Sequence, residues 1–225
     1  VARIGIITGI AAEAGCIPRN TRECFVRTGI GYDMARKNAE YCIADNTDGL
    51  ISFGVAGGLS DTLGCGDVVL ATLVGSGDRV FETDTRWRDA LFEKLNNDLP
   101  LSTGDVTHVD DIIADPLGKQ ALYHKTGAVV CDMESLAVAE VAAENKVPFL
   151  IVRAVSDPVD AGVPPWVSKI LDDQGRVKKM KITRQILKNP VAVADLWRLG
   201  RNANTAFKSL ARVSKSAGPG FALPV

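Results

Sequence analysis

The stretch Val129–Ala143, VVCDMESLAVAEVAA, changes from β-branched to helix-forming residues within a few positions and places acids at the join. Val129 and Val130 suit a covered strand ending near Cys131, and Leu136, Ala139, Val141 and Ala142 belong to a mostly apolar helix after it. A strand that runs straight into a covered helix is the building unit of an α/β sheet. Asp132, Met133, Glu134 and Ser135 fall on the strand's carboxyl end and the first helical turn. Open α/β sheets present their ligand crevice there, and free N–H groups at the start of a helix favour a carboxylate. Two readings follow. Asp132 or Ser135 caps the helix with Glu134 as first-turn charge, or the acids face a ligand.

The same pattern recurs along the chain. Phe149–Val155, FLIVRAV, is a second apolar strand, and it ends in Ser156-Asp157-Pro158. Asp157 either starts a turn before the proline or serves chemistry just past a buried strand. Arg3–Thr8 reads as the first strand; Gly9–Gly15 follows as a loop or helix start and carries Glu13, another acid beyond a strand end. Cys24–Thr28 is a strand, and Gly29-Ile30-Gly31 punctuates it before a helix over Met34–Asp45. Gly49–Gly54 is a buried strand opening into Val55-Ala56-Gly57-Gly58-Leu59, where glycines let backbone N–H groups approach a ligand. That loop matches neither GxGxxG nor GxxxxGK[ST], so no dinucleotide or NTP site follows. Asp67–Leu73 and Leu101–Val106 are further strands. Helices are expected at Thr85–Leu95, capped by Asp84, and at Pro116–Lys125, capped by Asp115. Strands alternating with helices predict an α/β fold with helices on both faces of the sheet.

A chain of 225 residues suits one domain, 1–225, with a sizeable core. From Pro158 onward the character changes. Pro164 and Pro165 mark a loop, Asp172-Asp173-Gln174-Gly175 a turn, and basic helices are expected at Lys178–Lys188 and Val191–Ala211. In the second of these Leu196, Leu199, Ala203, Phe207 and Leu210 recur at three or four, giving one apolar stripe. The net charge of −1 conceals a split: residues 168–225 carry +9 and residues 1–167 carry −10. The acidic body and the lack of a reader motif argue against nucleic acid as a partner. The five cysteines show no CxxC or zinc spacing, and His108 and His124 form no HxxxH, so neither a disulfide framework nor a metal centre is indicated. A reducing cytoplasm fits this usage. No apolar run reaches membrane-spanning length, and Val1–Thr8 begins as a strand and not as a signal peptide.

Taken in order, GIITGIAAEA, TGIG, SFGVAGGL, CDMES and VRAVSDP, spread over Gly5–Pro158, resemble the purine/uridine phosphorylase superfamily, and within it the adenine nucleosidases. Val163-Pro164-Pro165, Asp173-Gln174-Gly175-Arg176 and the basic tail are similar to a narrower branch, the hopanoid-associated phosphorylases that act on adenosylhopane. The resemblance implies a phosphorylase/hydrolase-like fold: a central mixed β-sheet flanked by helices, here with a basic helical extension, usually as a homo-oligomer. It implies cleavage of the N-glycosidic bond of a 5′-substituted adenine nucleoside. By that likeness Asp157 is the acid that protonates purine N7, Ser156 its orienting hydroxyl, Glu134 the acceptor for the ribose 2′- and 3′-hydroxyls, and Met133 the apolar floor of the sugar. Ile112 and Ile113 fall near the segment that flanks the base, one residue out of step with the family spacing. Val55, Ala56 and Gly57 line the substrate, and no cofactor is implied.

The nucleophile is where the chain departs from the phosphorylases. Their strand arginine and loop Ser or Thr, which hold phosphate, are replaced by Ser52 and Val55, and their Gly-Asp-Pro-x-Arg loop is missing. Glu13 instead matches the acid that activates water in the nucleosidases. Phosphate as co-substrate remains open through Arg19, Arg22 and Arg27. Three functions are therefore carried forward: hydrolysis of adenosylhopane, hydrolysis of methylthioadenosine or adenosylhomocysteine, and a non-catalytic module that lies on the membrane surface through its basic helices. The lipid-linked readings imply peripheral contact at the inner face of the membrane.

Overall fold

The computed structural model describes residues 2–18, 24–96, 99–163 and 192–224. Its elements run β1 (Ile4–Thr8), α1 (Ala11–Ala14), β2 (Cys24–Thr28), α2 (Tyr32–Ala44), β3 (Gly49–Gly58), β4 (Val68–Ser76), β5 (Arg79–Glu82), α3 (Thr85–Leu95), β6 (Leu101–His108), α4 (Pro116–Thr126), β7 (Val130–Asp132), α5 (Ser135–Asn145), β8 (Phe149–Asp157) and α6 (Ala192–Ala217). The loop at Pro164-Pro165, the turn at Asp172–Gly175, the helix expected at Lys178–Lys188, and Arg19 and Arg22 lie outside the described residues.

The eight strands form one mixed sheet. β1 lies between β2 and β3, parallel to both. β3 also pairs with β8 in parallel and with β7 in antiparallel. β8 pairs with β4, β4 with β6, and β6 with β7. These pairings bring the ladder back to β3, so β3, β8, β4, β6 and β7 close into a ring with β1 and β2 as an extension. At the mouth of that ring a bulge shifts the β3–β8 register, so that Ala56 faces Val155 but Gly57 faces Asp157. A bulge re-aims side chains, and this one turns Ser156 and Asp157 at the strand end.

Alternation along the strands feeds two apolar layers. Ile7, Leu50, Ile151 and Val155 pack with Ala35, Ala39 and Cys42 of α2 and with Leu136, Val138, Val141 and Ala142 of α5. Their neighbours Ile6, Ile51, Leu150 and Val152 pack on the other side with Trp87, Leu91 and Leu95 of α3 and with Ala206, Leu210, Val213 and Ala217 of α6. Of the stripe expected on the C-terminal helix, Leu210 lies in this core and Phe207 packs against it, Leu199 and Ala203 are half-buried, and Ala206, Val213 and Ala217 make up the rest of the buried face. Helices cover both faces, as the alternation predicts. Both predicted caps form: Asp84 Oδ1 accepts from the Trp87 N–H at 2.8 Å and Asp115 Oδ1 from the Gly118 N–H at 2.8 Å. β5 was not expected. It returns from β4 through Gly77-Asp78, with Gly77 at φ 59°, and its short, largely exposed RVFE carries little apolar alternation to read.

Candidate active site

Four carboxylates and one guanidinium converge at the carboxyl ends of β1, β7 and β8 and in the middle of β3. Glu13 stands in the single turn of α1, buried, and its two oxygens accept three backbone N–H groups: Gly9 at 2.8 Å and Ile10 at 2.9 Å on Oε2, and Val55 at 2.8 Å on Oε1. β3 makes room for it at Gly54, where a Cβ would sit 2.6 Å from Oε1. Burial pushes the Glu13 carboxyl up, against the Val55 N–H and the Arg153 charge, which pull it down.

Glu134 is the residue before α5 and not part of its first turn. Its Oε1 accepts the Gly31 N–H from the start of α2 at 2.9 Å, while Oε2 has no hydrogen-bond partner among the described residues. Gly9 separates it from Glu13: a Cβ there would be 3.1 Å from Glu134 Oε1 and 3.5 Å from Glu13 Oε2. Burial, and then the Asp132 and Glu13 charges, push the Glu134 carboxyl up to about 7 against Arg153.

Beneath this pair lies Arg153 of β8, 2% exposed. Its Nε donates to Asp132 Oδ2 at 2.6 Å, and Nη2 donates to the hydroxyls of Ser52 at 2.6 Å and Ser135 at 2.9 Å. The Ser135 hydroxyl also donates to Asp132 Oδ2. Asp132 Oδ1 takes the N–H groups of Glu134 at 3.1 Å and Ser135 at 2.9 Å, so Asp132 caps α5 from two residues upstream of Glu134. Burial alone would raise Asp132, but Arg153 and Ser135 hold it below the usual carboxylate range.

At the bulge, Asp157 is 16% exposed at its side chain. Oδ1 accepts the Ser156 hydroxyl at 2.6 Å, and Oδ2 accepts Lys119 Nζ of α4 at 2.7 Å. Gly57 backs it, since a Cβ there would be 3.3 Å from Oδ2. Val55, which holds Glu13, and Gly57, which backs Asp157, are two residues apart on β3, about 7 Å along the strand. The arrangement sets a carboxylate pair, Glu13 buried and Glu134 half-buried, and the half-buried acid Asp157 on either side of one crevice.

The phosphorylase superfamily profile matches residues 8–187, most of the chain and every group just described. The chain belongs to the phosphorylase superfamily. This superfamily member is 29% identical over 153 residues to a 5′-methylthioadenosine/S-adenosylhomocysteine nucleosidase of Shewanella sp. strain W3-18-1, covering 58% of this chain and 66% of the relative. Two further Shewanella relatives of that name are covered over 56% and 55% of their length, so the match spans one half to two thirds of these relatives. Its fold is that of the same-named nucleosidase from Neisseria meningitidis, with a TM-score of 0.73 at 17% identity over 96% of this chain and 98% of that one. Helicobacter pylori futalosine hydrolase superposes with a TM-score of 0.69 at 18% identity, again over 96% and 98%.

Among the residues singled out from the superfamily likeness, Glu13, Glu134 and Val55 meet directly or through Gly9, and Ser156, Asp157, Ala56 and Gly57 form the second group, with the Ser156 hydroxyl 3.4 Å from the Ala56 carbonyl. Met133, next to Glu134 in the chain, is half-buried. Ile113 packs with Leu59, Ala128 and Cys131, whereas neighbouring Ile112 lies outside that cluster. Ser52 lies under the crevice as a partner of Arg153. Sequence reasoning assigned no role to Arg153 or Lys119. An arginine inside the apolar run FLIVRAV had to find a buried acid, and Lys119 lies three residues from inward-facing Leu122 on α4; both were visible signals. Among the described residues no group of three or more His, Cys, Asp or Glu could hold a metal ion, and no helix is long and apolar enough to cross a membrane. A surface cleft of about 360 Å³ lies between Val80–Glu82 and Lys146–Phe149, at the opposite end of β8 from Asp157.

Proposed function

We propose that this chain hydrolyses the N-glycosidic bond of a 5′-substituted adenine nucleoside. The observation that carries the reading is the charge of the crevice. Arg153 is neutralised by Asp132 and roofed by the Ser52 and Ser135 hydroxyls, and Asp157 is paired with Lys119, which leaves Glu13 and Glu134 as the carboxylates of the crevice without a salt-bridge partner among the described residues. An anion such as phosphate would meet two carboxylates there, whereas water and a ribosyl centre gaining positive charge are both favoured by them. Glu13 Oε1 carries one backbone hydrogen bond and has a second lone pair for the attacking water. Glu134 Oε2 is free to accept from a ribose hydroxyl. Asp157 gives a proton to N7 as the C1′–N9 bond breaks, the bonding pair leaves with adenine, and the water oxygen joins C1′ while its proton passes to Glu13. Nucleoside and water become adenine and a free pentose; Glu13 gives to solvent the proton it took, and Asp157 recovers one from solvent.

The finer proposal is that the nucleoside is adenosylhopane. It is supported by the sequence of residues 163–176 and by Trp197, an exposed ring on α6 with Arg201 stacked on it at 5.7 Å. The rival is methylthioadenosine or adenosylhomocysteine, the nucleosides in the names of the similar nucleosidases. Adenine release by the purified protein, measured with and without phosphate on all three nucleosides, tests the set. Free pentose without phosphate supports hydrolysis, and strict phosphate dependence with a pentose 1-phosphate product overturns it. Loss of at least 100-fold in Asp157→Asn is expected; activity within tenfold of wild type removes the acid assignment.

A further inference from the structure

Lys119 of α4 is fully buried, and its ammonium sits in a nest made by the chain just after β8. Besides Asp157 Oδ2 at 2.7 Å it donates to the carbonyls of Asp157 at 2.7 Å, Pro158 at 3.0 Å and Ala161 at 3.1 Å. An ammonium has three N–H donors, and here four acceptors compete for them. Both oxygens of Asp157 are engaged, Oδ1 by Ser156 and Oδ2 by Lys119, so an acid that is to serve a purine nitrogen must first give up one of these contacts. Ser156 would be left with a distant second acceptor, the Ala56 carbonyl at 3.4 Å. Lys119 loses nothing, because three carbonyls satisfy its three donors when Oδ2 departs.

We propose that Lys119 is the positioning residue for Asp157: it parks the carboxylate between turnovers and releases Oδ2 toward the base while its own hydrogen bonds remain complete. This rests on the reading of Asp157 as the proton donor. Once away from the ammonium, the carboxylate takes a proton from solvent, passes it to N7 as the C1′–N9 pair leaves with adenine, and returns to Lys119 as an anion. Among the described residues, the other titratable groups against Asp157 are the thiols of Cys65 on the loop before β4 and Cys131 on β7. Burial raises both, Cys131 to about 12, so they stay neutral, and Lys119 is the cation in contact with Asp157 among the described residues. A purely structural Lys119, tying residues 157–161 to α4, would make the same contacts, so the test must separate positioning from folding.

Lys119→Met keeps the unbranched side chain, one atom shorter, and removes the donors. On an adenine nucleoside kcat is expected to fall about 100-fold with KM within about threefold, while a 4-nitrophenyl riboside, whose leaving group needs no proton, is cleaved within about threefold of the wild-type rate. In the Asp157→Asn background Lys119→Met should add no further loss. Equal losses on both substrates, or an undiminished kcat on the nucleoside, overturn the proposal. If Lys119→Met does not fold, the wild-type crystal structure with a non-cleavable adenine C-nucleoside decides. Oδ2 turned to the base with the three carbonyl contacts kept supports it, and an unbroken Lys119–Asp157 pair refutes it. An active Asp157→Asn protein would instead remove the underlying acid assignment, which is a different result from an active Lys119→Met protein beside an inactive Asp157→Asn.

Discussion

Arg153→Met is the substitution whose effect is largest in stability and most readily worked from the structure. The guanidinium is 2% exposed, joined to Asp132 at 2.6 Å and to two buried hydroxyls at 2.6 and 2.9 Å. Methionine fills similar space but leaves Asp132 buried without its cation, and removing one partner of a buried pair costs about 3–5 kcal/mol. Against a total stability of roughly 5–15 kcal/mol that is a large fraction, and for a chain of this length it corresponds to a Tm lower by about 6–20 °C. Arg153 also opposes the upward push on Glu13 and Glu134, so both carboxyls should titrate higher in the variant. Asp132→Asn keeps the carbonyl that caps α5 and removes the matching charge. The double variant should therefore cost at least about 2 kcal/mol less than the sum of the singles. Urea unfolding at pH 7.5, with the slopes compared among the four proteins, measures both quantities. A loss under about 1 kcal/mol for Arg153→Met, or an additive cycle, would refute the view that this pair is a buried, mutually dependent unit beneath the crevice.

Two other substitutions probe the roof of the site. Glu134→Gln should stabilise the protein: the native carboxyl titrates near 7 against an ordinary 4.5, so the unfolded state ionises first and the penalty grows from pH 4.5 to about 7, then stays constant above it. The variant should gain in thermal stability at pH 8 and show little difference at pH 4, and a gain of the same size at both pH values would show that the group is not the cause. Gly54→Ala would put a methyl 2.6 Å from Glu13 Oε1 and displace the carboxylate from the Val55 N–H. Adenine release should fall about 100-fold while the sheet survives, and a fall under threefold would mean that the Glu13 position is not critical.

The acids were legible because each follows a strand whose apolar character is plain. Ile4–Thr8, Val130–Asp132 and Phe149–Asp157 are buried along almost their whole length, and the residues that break the pattern at their ends are the ones that face the crevice. Sequence spacing could not say that Glu134 and Glu13 meet across Gly9, because that contact depends on β1 lying beside β3 and on β7 crossing to pair with β3. Nor could it show that Ser52, read as a lost phosphate ligand, serves Arg153. Periodicity placed α3 and α4 to within a residue, since Asp84 and Asp115 cap them and Gly127 at φ 73° stops α4. β5 escaped because its stability comes from pairing with β4 and not from any local apolar pattern.

The basic C-terminal helix divides the remaining question about the 5′ group. A helix that lies on a bilayer must keep an apolar face for the lipid. Along α6 the stripe that could serve, Ala206, Leu210, Val213 and Ala217, is buried against Ile6, Phe53 and Trp87, and Ser214 donates to the Cys16 carbonyl at 2.5 Å on the same side. The same helix therefore cannot offer that stripe to a membrane without exposing the core residues it covers. What it does present is Trp197, 68% exposed, beside Arg198, which is bonded to the Gly162 carbonyl at 3.0 Å. Gly162 is followed by Val163, whose N–H is held by the Ala114 carbonyl at 2.7 Å on the loop that carries Ile112 and Ile113. The chain that leaves Asp157 thus touches α6 at Gly162 and the expected base-flanking loop at Val163. Contact between α6 and a lipid-linked substrate is therefore open to Trp197 and closed to the buried stripe.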